Sequence, residues 1–153
     1  MSLERAKEHL KKYNLDSKVM VFDKSSATVS EAAKAIGCEE REIGQTLSFL
    51  VGDQAIVILV AGDSKIDNRK FKDCFNVKAK MIPFEEVEDF IGHAPGGVCP
   101  FGVKDDVKVY LDESLKQLNT IYPACGSSNS AIKLTIKEIE ECSNYEKWVD
   151  VCK

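Results

Sequence analysis

His93, Cys99 and the glycines around them lie within one short run, Gly92-His93-Ala94-Pro95-Gly96-Gly97-Val98-Cys99-Pro100-Phe101-Gly102, which holds the residue types of a proton carrier, a nucleophile and a rigid backbone wall. Glycines and prolines around apolar residues make a loop whose backbone is the working part, and such a loop shapes a pocket rather than a core. A second loop of the same kind follows, Pro123-Ala124-Cys125-Gly126-Ser127-Ser128-Asn129-Ser130, with small polar side chains beside another glycine. His93 has two readings: a group that passes a proton to a bound ligand, or a histidine at a helix C-terminus facing the dipole. Cys99 also has two, because a reactive thiolate needs a base, a cation or a helix start beside it, and only His93 is near in sequence. The alternative is a pocket-wall or packing cysteine. His9, on the polar side of an N-terminal helix, reads as a solvated surface residue. A phosphate-cradling glycine loop needs a following helix and a lysine at fixed offset, and the first loop has neither. Asp63 and Asp67 lack a third ligand nearby and read as a turn and a helix N-cap rather than a metal site.

Composition bounds what these residues can serve. The 153 residues suit one domain spanning 1–153, with 44% hydrophobic and 30% charged residues, the proportions of an ordinary globular chain. No apolar run reaches the length of a membrane span, which predicts a protein without membrane partners. The six cysteines, Cys38, Cys74, Cys99, Cys125, Cys142 and Cys152, form no CxxC pair, so neither a zinc site nor a secreted disulfide scaffold is indicated, and free thiols in the cytoplasm are expected. A formal charge of −4 disfavours extended binding to DNA or RNA backbones but leaves contact with a nucleic-acid end open.

The elements that must position the loops follow from periodicity and caps. Leu3, Ala6, Leu10 and Tyr13 recur at helical spacing, with Asn14 as a stop. Val19 to Phe22 reads as a strand, and Thr28-Val29-Ser30-Glu31 is a capping box for a helix that ends at Gly37. Ile43 to Phe49 alternates as a strand, Gln54 to Ala61 is a β-branched run, and Gly52-Asp53 between them predicts a hairpin. Asp67 starts a helix to about Phe75, a short strand is expected near Ala79 to Ile82, and Pro83 opens a helix that Gly92 stops. Val107 to Leu111 alternates again, and Gln117 to Tyr122 is expected to pair with it. Ala131 to Leu134 leads into the capping box Thr135-Ile136-Lys137-Glu138, and the tail around Trp148 should pack back on the body. The predicted fold class is α+β: a mixed, partly barrel-like sheet of about six to seven strands surrounded by helices.

At the two loops the chain resembles the YbaK and EbsC family, free-standing relatives of the editing domain inserted in bacterial prolyl-tRNA synthetases. The likeness covers almost the whole chain and rests on Gly44-Gln45-Thr46-Leu47-Ser48-Phe49, on Ala61-Gly62-Asp63-Ser64-Lys65-Ile66-Asp67, on the first glycine loop, on the Asp112 strand end, and on the Cys125-Gly126 turn leading into Ala131-Ile132-Lys133-Leu134-Thr135. It implies an aminoacyl-tRNA deacylase acting in trans on Ala- or Cys-tRNA(Pro)-like substrates, with the tRNA acceptor end and a prolyl-tRNA synthetase as partners and no cofactor. Carried onto this sequence, Gln45, Gly126 and His93 are the expected catalytic positions. Gly96, Gly97, Val98, Cys99, Pro100, Phe101 and Gly102, then Ser127, Ser128, Asn129 and Ser130, and Lys65, are expected to hold substrate. Family members typically carry lysine where this chain has Gln45, and many carry lysine or arginine after the glycine where it has Ser127. The charge is then supplied by Lys65 or Lys133, or the substrate differs, or the chain is a non-catalytic module that binds a tRNA end or a synthetase. A thiol-based reading through Cys99 or Cys125 is the third class.

Overall fold

The computed structural model describes residues 2–153. Its architecture is α+β: a six-stranded mixed sheet, curled into a half-barrel, with five α-helices among the described residues. The helices are α1 (Ser2–Lys11), α2 (Val29–Ile36), α3 (Asn68–Phe75), α4 (Val87–Ile91) and α5 (Ile136–Cys142). Strands β1 (Met20–Val21) and β6 (Ser130–Ala131) form a separate antiparallel pair. The six-stranded sheet runs β7 (Leu134–Thr135), β5 (Thr120–Pro123), β2 (Ile43–Val51), β3 (Gln54–Ala61), β4 (Lys108–Asp112) and β8 (Trp148–Val149).

Local chemistry accounts for most of these limits. Thr28 and Thr135 each accept from the backbone N–H three residues on, and Glu31 and Glu138 reach back to close both capping boxes. Asp67 accepts from Arg69 and Lys70 N–H to start α3. Asn14, Asn76, Gly37 and Gly92 take the left-handed conformation that ends a helix. The β2–β3 hairpin turns at Gly52, and β3 is buried along nearly its whole length, as its β-branched run requires.

Two pairings differ from expectation. The segment Ala79 to Ile82 is not a strand but makes an isolated bridge, Met81 to Phe49, with Leu50 N–H donating to Lys80 O and Ile82 N–H to Ser48 O. Beyond Ile82 the chain turns into the 3₁₀ segment Phe84–Glu86, so the pairing stops at one bridge. Residues 117–122 do not pair with β4. A 3₁₀ turn, Glu113–Gln117, carries the chain over the end of β3, where Ser114 Oγ accepts from Ala61 N–H, and β5 then joins β2 in parallel through Ile43↔Tyr122 and Gly44↔Pro123. Asp112 pins that crossover: its buried carboxylate accepts from Ser114 N–H and from Val151 N–H, so one side chain ties the turn to the C-terminal tail.

Candidate active site

The site begins with a gap in a strand edge. On one side β2 pairs with β3 from Gly44 to Val51. On the other it is held by β5 only at Ile43 and Gly44, and next by Ile82 at Ser48. Ser48 O and Leu50 N–H point to this outer edge, and two-residue alternation puts the N–H and C=O of Thr46 on the same edge, in the interval that nothing pairs. The Thr46 hydroxyl is buried and also has no hydrogen-bond partner. Buried polar groups normally find one, so this strand segment offers unmet donors and acceptors at one point.

A groove of about 210 Å³ opens there. Its floor is Gly44 to Leu47 of β2, one wall is Ser26 to Val29 with Ala32 of α2, and the other is Gly96 and Val98 with Tyr122, Ala124, Ser130 and Ala131. Gly44 lets β5 approach closely at the floor, since a Cβ there would meet Pro123 Cα at 3.0 Å and push against the β2–β5 pairing. Gln45 lines the groove, and among the described residues its side-chain amide has no hydrogen-bond partner. The first turn of α2 forms part of the wall, its N-terminus closed by the Thr28–Glu31 capping box. Neither Lys133 nor Lys65 lines the groove: Lys133 Nζ lies 6.0 Å from the centre of the Tyr122 ring, and Lys65 is exposed on the segment before α3.

The two glycine loops meet back to back rather than both facing ligand. A Cβ on Gly97 would lie 2.5 Å from Gly126 C and 2.6 Å from Ser127 N, so the loops touch through bare backbone. Gly126, at φ +90°, has the Ser2 carbonyl where a side chain would be, and Gly102, at φ +69°, has the Arg5 carbonyl. Thus Gly97, Gly102 and Gly126 let the loops pack on each other and on α1, while Gly96, Val98 and Ser130 reach the groove. Ser127 Oγ donates to Ser130 Oγ at 2.6 Å or to Asn129 Oδ1 at 2.9 Å. Asn129 Nδ2 donates to Phe22 O, and Ser128 O accepts from Ser26 N–H. Asn129 and Ser128 thus tie the second loop to Phe22 and Ser26, where the groove wall begins, and Ser127 braces the loop internally.

His93, Cys99 and Phe101 form the dry side of the first loop, each 0% exposed. His93 Nε2 donates to Phe101 O at 2.6 Å, Cys99 Sγ donates to the same oxygen at 3.5 Å, and the two side chains are 3.6 Å apart. Burial holds His93 below its ordinary pKa, against the Phe101 hydrogen bond that favours protonation. Burial likewise pushes the Cys99 thiol up to about 12, and that of Cys125 higher still. A proton carrier or a thiolate must reach a ligand, and these groups do not line the groove. The thiol-based reading is therefore set aside. His9 also departs from expectation. Rather than being solvated, its Nε2 donates to Cys142 O at 2.5 Å and its Nδ1 accepts from Gly102 N–H at 3.0 Å, so it fastens the loop to α1 and α5. Pro100 and Gly102 face a separate polar cavity beside α1.

Of the residues singled out from sequence, Gln45, Gly96, Val98 and Ser130 are brought together in the groove. Thr46, Tyr122, Ala124 and the wall from Ser26 to Val29 were missed. Thr46 was within reach as the chain neighbour of Gln45 at the same strand edge, although alternation turns their side chains to opposite faces; nothing in Ser26-Ala27 marks it as a wall.

Comparison with known proteins places the chain in a family and a fold. A family model described as an aminoacyl-tRNA editing domain matches residues 23–142. The chain is 50% identical over 154 residues to YwhH of Bacillus subtilis strain 168, an uncharacterized protein, covering 100% of this chain and 98% of that one. It is 28% identical over 120 residues to EbsC of Enterococcus faecalis, a candidate Cys-tRNA(Pro)/Cys-tRNA(Cys) deacylase, covering 76% and 73% of the two chains. The proline–tRNA ligase of Lactiplantibacillus plantarum is 25% identical over 125 residues, and there the match covers 81% of this chain but 22% of the ligase. Among solved structures, a candidate trans-editing enzyme for prolyl-tRNA synthetase superposes with a TM-score of 0.88 at 28% identity, covering 99% of this chain and 97% of that one. The chain belongs to the aminoacyl-tRNA editing domain family, and its fold is that of the free-standing trans-editing proteins.

Proposed function

We propose that this protein is an aminoacyl-tRNA deacylase that acts in trans, hydrolysing the ester of tRNA mischarged with a small amino acid such as alanine or cysteine. The observation that carries the reading is the unpaired strand edge at Thr46, open to a groove of about 210 Å³ in an editing-domain fold. An aminoacyl ester is already activated by its ribose leaving group, so positioning and oxyanion stabilisation supply most of what the reaction needs. The Thr46 N–H is the donor for the developing oxyanion, its hydroxyl and the Gln45 amide orient the substrate, and a water molecule attacks the carbonyl carbon. The tetrahedral intermediate then collapses, releasing the free amino acid and the tRNA hydroxyl. Gly96, Val98, Tyr122 and Ala124 bound the side-chain space, and selection is by volume, where one methylene is worth about 1–3 kcal/mol.

The test is a deacylation panel: purified protein against tRNAs mischarged with alanine, cysteine and serine. Release of at least one of these amino acids well above the spontaneous rate is expected; stability of all three esters at high enzyme concentration overturns the reading. Gln45 supports a second reading, a non-catalytic module that binds the tRNA acceptor end or a prolyl-tRNA synthetase, because it replaces a cation with a neutral amide. A Gln45→Lys variant separates the two. A large gain of hydrolysis from an inert parent favours the binding module, whereas a parent already active and little changed favours the deacylase. The net charge of −4 gives little attraction to tRNA, which fits delivery by a partner.

A further inference from the structure

The groove continues into a second concavity whose lining, apart from Thr46 and Ser48, is apolar. This shelf, of about 320 Å³, is built from Leu47, Met81, Ile82, Phe84, Pro95 and Val98, and it shares Thr46, Leu47 and Val98 with the groove. No charged residue lines it. Phe84 is 75% exposed and Met81 57% exposed, and they are the two most exposed large hydrophobic side chains among the described residues. One exposed apolar residue is ordinary, but an aromatic face and a thioether flanking a concavity that opens into the groove are a surface prepared for contact. Its backbone is fixed: Ile82 is buried and donates to Ser48 O, Met81 bridges to Phe49, and Pro83 leads into the 3₁₀ turn Phe84–Glu86.

We propose that this shelf is the subsite for the nucleobase of the acceptor strand's terminal adenosine, with Phe84 as its stacking platform. The inference rests on the deacylase reading for its geometry. In an aminoacyl-tRNA the ester and the base hang from the same ribose, so a site that holds the aminoacyl group in the groove must hold the base one sugar ring away. The shelf is an apolar surface that adjoins the groove, and Thr46, Leu47 and Val98 line both. Stacking on an exposed aromatic is sequence-tolerant and worth roughly 1–3 kcal/mol per base, which corresponds to about a five- to 150-fold effect on affinity. It also supplies binding that the chain's acidic charge does not.

The experiment measures steady-state deacylation by the parent, Phe84→Ala and Phe84→Trp, together with inhibition by adenosine 5′-monophosphate. The side chain is exposed, so folding is not at issue. An active parent whose KM rises at least roughly fivefold in Phe84→Ala with a much smaller change in kcat, recovers in Phe84→Trp, and loses competitive inhibition by the nucleotide supports the subsite. An active parent with unchanged KM and unchanged inhibition in Phe84→Ala overturns it. If the parent cleaves no mischarged tRNA, the deacylase reading falls by itself, and titration of parent and Phe84→Ala with adenosine carrying alanine through a 3′-amide decides the subsite. Binding that Phe84→Ala weakens supports it, and absent or insensitive binding overturns it. Loss of self-association in Phe84→Ala with unaltered nucleotide binding makes the shelf a protein contact instead, which also overturns the proposal.

Discussion

The two sides of the Gly96–Gly102 loop do opposite work. On the inner side His93, Cys99 and Phe101 are wholly buried, and one carbonyl, that of Phe101, takes both the imidazole and the thiol hydrogen. On the outer side Gly96 and Val98 face a groove where Thr46 and Gln45 hold polar groups with no protein partner. The residue types with the stronger chemical reputation are fasteners, and an ordinary threonine and glutamine line the groove. The difference is one of access: among the described residues His93 Nδ1 and the Thr46 hydroxyl are both buried without a hydrogen-bond partner, but Thr46 lines the groove whereas the imidazole is sealed inside the loop.

The largest effect expected from breaking this division is at Gly97. A Gly97→Ala methyl would sit 2.5 Å from the Gly126 carbonyl carbon, and backbone cannot step aside as a side chain can, so a loss of roughly 3 kcal/mol or more is expected. Thermal unfolding would show it as a fall of roughly 6–12 °C in Tm. A variant as stable as the parent would mean that the loops are not in backbone contact. Next comes His93→Ala, which removes a buried hydrogen bond and leaves a cavity, at a cost of about 2–4 kcal/mol. Its residual folded fraction should retain deacylation per folded molecule, since the ring lies outside the groove.

The inner side also sets a pH response. His93 and His9 are both held below their ordinary pKa of 6.5 by burial, so the unfolded chain binds protons that the folded chain refuses. Stability from these groups is therefore full above about pH 6.5 and falls as the pH drops below it toward the depressed folded values. Denaturant midpoints across pH 5 to 8 should show that decline, and His93→Gln should flatten it.

Thr46→Val gives a smaller effect but divides the two sides most sharply. The swap nearly keeps volume and removes a buried hydroxyl with no partner, so stability should hold or rise by up to about 1 kcal/mol. Activity should fall about tenfold if that hydroxyl contacts substrate, a loss near 1.4 kcal/mol. A threonine that mattered only to the fold would show the reverse.

Much of the frame was legible in the sequence because its signals are local. The capping boxes at Thr28 and Thr135, the Asp67 cap, the Asn14 stop and the Gly52 hairpin each depend on a few neighbouring residues. What was hidden depends on partners distant in sequence. Nothing in residues 117–122 says that they pass over β3 to pair with β2, because parallel pairing is set by where the crossover lands. The gap at Thr46 exists only because β5 diverges after Pro123 and the Met81 bridge begins beyond Ser48. The loops were correctly marked as unusual backbone, but glycine spacing does not say whether the space beside a glycine holds a ligand or, as at Gly126, another stretch of chain.

The most direct test is single-turnover deacylation of alanyl-, cysteinyl- and seryl-mischarged tRNA by the parent, Cys99→Ala and Thr46→Val. Cleavage of at least one ester by the parent, an undiminished rate in Cys99→Ala and a roughly tenfold slower one in Thr46→Val is the predicted result. Loss of cleavage in Cys99→Ala with full activity in Thr46→Val would place the chemistry on the buried side of the loop and contradict the account.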